Sequence, residues 1–97
     1  MEYTEDFLKK IVNLGTLGYD VEKAINILDV EDKDAAAFRN DWKDTRSKVY
    51  TSYKKGIDKA DYAIDLKLFS LATQGDLKAL QKYEERKSYQ KLNQKKG

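Results

Sequence analysis

The chain contains no cysteine, no histidine and no proline. The lack of cysteine excludes disulfides and thiolate nucleophiles, and the lack of histidine removes the commonest general base and the Cys/His zinc sites. The lack of proline means that no such residue breaks a helix from within. We therefore expect a helical, non-enzymatic protein that has no catalytic residues, no metal site and no cofactor.

Long apolar runs are missing as well. No segment approaches the roughly 20 apolar residues that a membrane-spanning helix needs. Residues 1–6 are acidic, whereas a signal peptide begins with basic residues. We therefore expect an intracellular protein without a membrane partner.

Charge, in contrast, is abundant and unevenly distributed. Charged residues make up 37% and hydrophobic residues 40% of the 97 residues, which allows one modest core or a small head with a helical extension. Residues 1–45 carry 6 basic and 11 acidic side chains, a net charge of −5, and residues 46–97 carry 13 and 6, a net charge of +7. Attraction to phosphate is expected mainly from the second half.

Capping residues and apolar periodicity predict three short helices in residues 1–45. Thr4 and Asp20 are suited to begin the first two helices, and Gly15 and Gly18 mark the end of the first. A tight turn at residues 29–32 leads to a third helix over residues 33–42. The side chains predicted to be buried in this head are Phe7, Leu8, Ile11, Val12, Leu14, Val21, Ala24, Ile25, Leu28, Ala36, Phe38 and Trp42.

A long helix and a second helix follow the head. The polar residues 44–47 mark the joint, and Gly75 with Asp76 predicts a tight break, because glycine ends a helix in the left-handed conformation and aspartate begins the next. The chain is therefore expected to be all-α: a helix-turn-helix-like head at 1–45, an antiparallel helical hairpin for oligomerisation at 46–92, and a disordered basic tail at 93–97.

The long helix carries apolar residues on two opposite faces. One stripe, expected to pack within the subunit, contains Tyr50, Tyr53, Ile57, Ala60, Ile64, Leu68 and Leu71. The opposite stripe contains Tyr62, Leu66 and Phe69. Because a small domain covers only one face of a helix, we expect these three residues to contact a second subunit.

Charges flank the stripes of this helix. The acidic flank contains Asp58, Asp61 and Asp65, and the basic flank contains Lys48, Lys59 and Lys67. If copies pack side by side, these flanks would meet in a heterologous contact that closes into a ring. A dimer with twofold symmetry and antiparallel long helices is the simpler alternative.

The third helix is the candidate DNA-reading helix of a helix-turn-helix. It would offer Lys33, Arg39, Asn40 and Lys43 to a major groove. The acidic residues Asp34, Asp41 and Asp44 oppose that interpretation, because phosphate repels carboxylates. The pattern leaves a generic three-helix head and a DNA-reading head both open.

Other charged groups have simpler interpretations. The acidic residues of the turn at 29–34 do not match a calcium-binding loop, and we interpret them as helix-capping and solvated groups. Asp58, Asp61 and Asp65 are interpreted as surface or inter-subunit ion-pairing groups and not as catalytic carboxylates. The basic residues of the last helix are solvated charge, or they hold phosphates or an acidic partner.

The order of these parts resembles the small terminase subunits of tailed bacteriophages. The resemblance rests on the helix-turn-helix head, the segment 50–56 and the segment 68–80, whose pattern A-x-x-G-D-x-x-A-L links two helices of the oligomerisation region. It covers most of residues 7–87. It implies a non-enzymatic ring of subunits in the cytoplasm of the infected bacterial host, which binds double-stranded viral DNA and presents it to the large terminase subunit.

The resemblance also assigns residues by position. It places Lys33, Arg39 and Lys43 on the DNA-facing helix, and it places Ile64, Leu66, Phe69 and Leu71 in the assembly region. Two alternatives remain from other classes: a protein-binding helical adaptor or virion component, and a small helix-turn-helix transcription regulator.

Overall fold

The computed structural model describes the backbone of residues 2–95 and the side chains of residues 2–89. These residues form helices and no strand: α1 Glu5–Leu17, α2 Val21–Leu28, α3 Asp32–Lys43, α4 Lys48–Thr73 and α5 Leu77–Lys95. The predicted all-α fold, with a three-helix head, a long helix and a following helix, is confirmed. None of the helices in this described part combines the length and apolar composition that crossing a membrane requires.

The helix starts follow from local side chains. The Thr4 hydroxyl accepts from the Phe7 backbone N–H at 3.1 Å, and Asp20 accepts from the Lys23 N–H at 2.9 Å. Gly18, with a φ of 70°, ends α1 in the left-handed conformation. Each bond satisfies a backbone group that the helix itself leaves unpaired, so both predicted caps are confirmed.

The turn between α2 and α3 is tight although it contains no glycine. Asp29 occupies the left-handed region with a φ of 54°, a conformation that aspartate tolerates better than most residues. The Val30 backbone N–H then donates to the Ile25 carbonyl at 3.1 Å, and the Val30 side chain is buried. Aspartate therefore takes the role that glycine has in many helix-turn-helix motifs.

The core of the head gathers side chains from every element up to the start of α4. Its buried members are Ile11, Leu14, Ala24, Val30, Phe38 and Val49. On α3 the predicted burial of Ala36 is wrong: Ala35 is buried and Ala36 is exposed. Ala35 lies three residues before Phe38 and shares its side of the helix, whereas Ala36 lies on the opposite side. On α4 the buried positions are Val49 and Gly56, which the two-stripe pattern did not include.

The chain forms two compact units, Met1–Ala60 and Asp61–Gly97. The division lies within α4, whereas the sequence placed the boundary before it, at 45/46. The reason is that the start of α4 belongs to the head, where Tyr53 packs on Trp42 with ring centroids 4.3 Å apart and donates to the Tyr19 carbonyl at 2.6 Å.

The second unit is a helical hairpin. Gly75 has a φ of 93°, and the Asp76 side chain accepts from the Ala79 N–H at 3.0 Å, which confirms the predicted break. α5 ends at Lys95, beyond the predicted hairpin limit at residue 92 and within the predicted tail at 93–97. Residues 96 and 97 of that tail lie outside the described residues.

Candidate DNA-binding and assembly surfaces

α3 has one buried face and one exposed face. Ala35 and Phe38 point into the core, and Trp42 packs against it. The opposite face carries the exposed residues Lys33, Ala36, Ala37, Asn40 and Lys43. Three of the four predicted DNA-binding residues, Lys33, Asn40 and Lys43, therefore share this surface, which we call the outer face of α3.

Arg39, the fourth candidate, is engaged elsewhere. Its guanidinium donates to both carboxylate oxygens of Glu22 on α2, at 2.7 and 3.0 Å. The hydrogen bonds from Arg39 lower the pKa of Glu22 below its usual range. Such a two-pronged pair satisfies the planar guanidinium. Arg39 therefore joins α2 to α3 while its side chain stays 44% exposed, and its assignment to DNA binding remains a prediction.

The acidic residues of α3 also have structural roles. The Tyr3 hydroxyl donates to the Asp41 carboxylate, and the Tyr3 ring stacks on Phe7 at 5.5 Å. Burial and the hydrogen bond to Asp41 raise the pKa of Tyr3. Asp41 therefore anchors the start of the chain to α3.

The corner between α3 and α4 carries three cations, of which the sequence interpretation assigned only Lys43 to DNA binding. Lys43, Arg46 and Lys48 are all exposed, and the first turn of α4 contains no acidic residue. Arg46 contacts Asp44 at 3.5 Å, with its own side chain 90% exposed. We call these three residues the basic corner. In the sequence, the basic corner could have been recognised from the spacing of these cations, which follow one another at intervals of two or three residues between α3 and α4.

The contact between α4 and α5 is charged at its centre. Arg86 donates to Asp65 at 2.6 Å and to Asp61 at 3.2 Å, and the Asp65 and Arg86 side chains are only 19% and 31% exposed. The hydrogen bond to Asp65 raises the pKa of Arg86 most, and the bond to Asp61 raises it further. Two carboxylates of the predicted acidic flank are thus paired within the hairpin, so the side-by-side attraction between acidic and basic flanks loses its basis.

Large apolar side chains, meanwhile, lie outside this contact. Tyr62 is 69% exposed, Leu66 54%, Phe69 49% and Ile64 47%, whereas Leu71 is half-buried. The Phe69 ring also lies 5.6 Å from the ring of Tyr83 on α5. Ile64 was expected to pack within the subunit by periodicity and is instead exposed. Four of the five residues assigned to oligomerisation are therefore available for contact.

The exposed apolar residues of α4 lie on both sides of the contact with α5. At about 100° per residue, Tyr62, Leu66 and Phe69 lie on one side of Asp65, and Ile64 and Leu71 lie on the other. We call these groups the first flank and the second flank. Because α5 covers the strip between them, each flank offers a separate apolar surface.

The acidic groups considered as cation or catalytic sites do not converge on a ligand. Among the described residues, no group of carboxylates is arranged to hold a metal ion. Asp58 contacts Lys54 at 2.8 Å, one helical turn away. Asp58, Asp61 and Asp65 therefore act as ion-pairing groups, as we interpreted them, although two of the pairs lie within the hairpin.

No known protein family, curated protein or solved structure matches the chain. The resemblance to small terminase subunits therefore remains a prediction from the sequence.

Proposed function

We propose that the chain is a non-enzymatic, self-assembling DNA-binding subunit, and that it serves as the small terminase component of a phage genome-packaging machine. In this role it forms a homo-oligomer, engages double-stranded viral DNA and presents that DNA to a large motor subunit. The observation that carries the proposal is the hairpin, in which Asp65 and Arg86 pair between the helices while large apolar side chains of α4 stay about half exposed or more.

The hairpin supports self-assembly for an energetic reason. A soluble monomer gains by burying apolar surface, at roughly 25 cal/mol per Å². Here Leu66 and Phe69 stay about half exposed while Asp65 and Arg86 occupy the helix contact. Contiguous apolar surface of this kind marks an interaction site, and a second copy of the chain is the partner that the terminase resemblance implies.

The head supports DNA binding through α3 and the basic corner. The outer face of α3 has small residues at its centre and a lysine near each end, and the basic corner adds Arg46 and Lys48. A helix with such a face fits a major groove while neighbouring cations hold phosphates. Because residues 1–60 carry 11 basic and 12 acidic side chains, a net charge of −1, binding would depend on several heads acting together in one assembly.

One observation favours the adaptor alternative. The start of α3 is acidic, with Asp32 and Asp34 in its first turn, and Arg39 is paired. A head that binds a basic protein partner would also look like this.

Solution mass by light scattering, measured with and without duplex DNA, tests both parts of the proposal. We expect an oligomer without DNA, and binding whose affinity falls steeply with salt. Lys43→Ala with Arg46→Ala should weaken binding and make the salt dependence shallower by about one ion for each lost phosphate contact. A monomer would refute the assembly, and an oligomer without DNA affinity would favour the adaptor.

A further inference from the structure

The outer face of α3 has an uncharged centre. Ala36, Ala37 and Asn40 lie within about 100° of arc, opposite the buried Ala35 and Phe38. Asn40 occupies the middle of this arc. Among the side chains of residues 2–89, none hydrogen-bonds to the Asn40 carboxamide.

The neighbours of Asn40 allow a close approach. The side chains of Ala36 and Ala37 are single methyl groups, so a binding partner can approach the backbone of α3 closely on this side. Asn40 extends beyond them and is the one hydrogen-bonding group at the centre of the face. A surface of this shape suits the floor of a groove better than it suits a flat apolar partner.

The nearby cations are less suited to reading bases. Arginine paired with guanine is the commonest specific contact with DNA, but Arg39 is held by Glu22 at 2.7 Å. Lys33 contacts Glu31 at 3.3 Å, and Lys43 lies in the last turn of α3, three residues before Arg46, where phosphates are expected. Direct reading therefore falls to the uncharged centre.

We infer that α3 selects A·T over G·C base pairs in the major groove through Asn40. The asparagine NH₂ group donates to N7 of adenine and its oxygen accepts from the N6 amino group, while the alanine methyl groups contact the methyl group of thymine. The inference rests on the proposed DNA-binding function and assigns its base preference.

Fluorescence anisotropy at one salt concentration tests the preference. The probes are two labelled duplexes of equal length, one of alternating A·T and one of alternating G·C pairs. The wild-type protein should bind the A·T duplex roughly tenfold more tightly, and Asn40→Ala should bring the ratio close to one. Lys43→Ala is the matched control, because it should weaken both complexes equally and keep the ratio.

A third duplex separates the two grooves. Replacing adenine by 7-deazaadenine removes the N7 acceptor from the major groove and leaves the minor groove unchanged. The wild-type protein should bind this duplex more weakly than the unmodified A·T duplex. The Asn40→Ala variant should bind the two duplexes equally.

Each outcome has a distinct meaning. A preference that persists in Asn40→Ala, or binding that ignores 7-deazaadenine, overturns the inference and leaves the proposed function standing. Equal binding of the A·T and G·C duplexes by the wild type does the same. Absence of binding to any duplex refutes DNA binding itself, and the inference falls with it.

Discussion

At the residue scale, two glycines decide how closely α1 and α4 approach. A Cβ atom on Gly56 would lie 2.0 Å from the Val12 carbonyl oxygen and 2.7 Å from the Thr16 backbone nitrogen, and one on Gly15 would lie 2.1 Å from the Tyr53 carbonyl oxygen. The Thr16 hydroxyl donates to the Val12 carbonyl within α1 at 3.1 Å and to the Gly56 carbonyl across the crossing at 3.4 Å. The obstructing atoms are backbone, so they cannot move aside as a flexible side chain does.

Gly56→Ala should therefore destabilise the head. Helix propensity alone favours alanine over glycine by about 1 kcal/mol, but overpacking costs about 1–3 kcal/mol and more where backbone obstructs. We expect a net loss of about 1–2 kcal/mol in the free energy of unfolding, measured by urea denaturation. The control is Ala63→Gly at an exposed site of α4, which should lower stability only because glycine has a lower helix propensity than alanine. A more stable Gly56→Ala protein would contradict the close crossing.

The pair between Glu22 and Arg39 yields a second prediction at this scale. The folded-state pKa of Glu22 is lowered, so its stabilisation is fully present above the ordinary carboxyl pKa of about 4.3 and is lost as pH falls through the lowered value. Thermal melts of the wild type and Glu22→Gln should therefore differ at neutral pH and converge in acid.

The same variant frees Arg39, so it should raise DNA affinity; a fall would indicate that the pair holds α3 in its binding orientation.

At the element scale, the hairpin places an ion-paired cluster between its helices and leaves large apolar side chains exposed. Asp61, Asp65 and Arg86 form its central contact, and apolar residues lie on its flanks. An ion pair that is only partly exposed fixes the register of α5 on α4 in addition to contributing to stability, because its charged groups meet in only one register. The apolar surface left outside then becomes available to neighbouring copies.

Arg86→Met should loosen the hairpin while leaving the head intact. Without the cation, Asp61 and Asp65 repel each other one helical turn apart, and we expect a loss of about 1 kcal/mol after discounting for solvent screening. Hydrogen exchange should show faster exchange in residues 77–89 and unchanged exchange in α1–α3. Lys82→Met, at an exposed position paired with Glu85 at 3.8 Å, is the control. Equal effects of the two variants would show that Arg86 has no special role.

At the scale of the whole molecule, the two apolar flanks would determine the symmetry of the proposed assembly. A contact between the first flank of one copy and the second flank of the next leaves a free surface at each end, so it continues until a ring closes. A contact between identical flanks stops at two subunits. Asp61 and Asp65 are paired with Arg86 within the chain, so a ring would depend on contacts between the apolar flanks.

Mixing two single-flank variants distinguishes these assemblies. Leu66→Asp disables the first flank and Ile64→Asp the second, and each alone should lower the oligomeric order with helicity preserved. If opposite flanks pair, an equal mixture should give a heterodimer by light scattering, because each variant keeps one complementary flank. If identical flanks pair, mixing should create no new species. Ala63→Asp adds the same charge at an exposed position of α4 away from both flanks, and it should leave the assembly at full size.

The sequence alone determined the features that depend on local physics. Thr4, Asp20 and Asp76 cap helices through bonds spanning three residues, and Gly75 is suited to the left-handed break. Helical periodicity likewise separated Tyr62, Leu66 and Phe69 from the remaining apolar residues, and all three are exposed. Such features require only neighbours along the chain, so a single sequence contains them.

Only the tertiary structure decided which distant groups meet. Arg39 and Glu22 are 17 residues apart, and Arg86 and Asp65 are 21 apart, so no local pattern assigns these partners. The same holds for Gly56, whose small size matters only because α1 crosses α4 there. The sequence around a charged residue or a glycine is the same whether that residue is exposed to solvent or packed against another helix. The packing of helices that are distant in sequence determines which of the two environments it has.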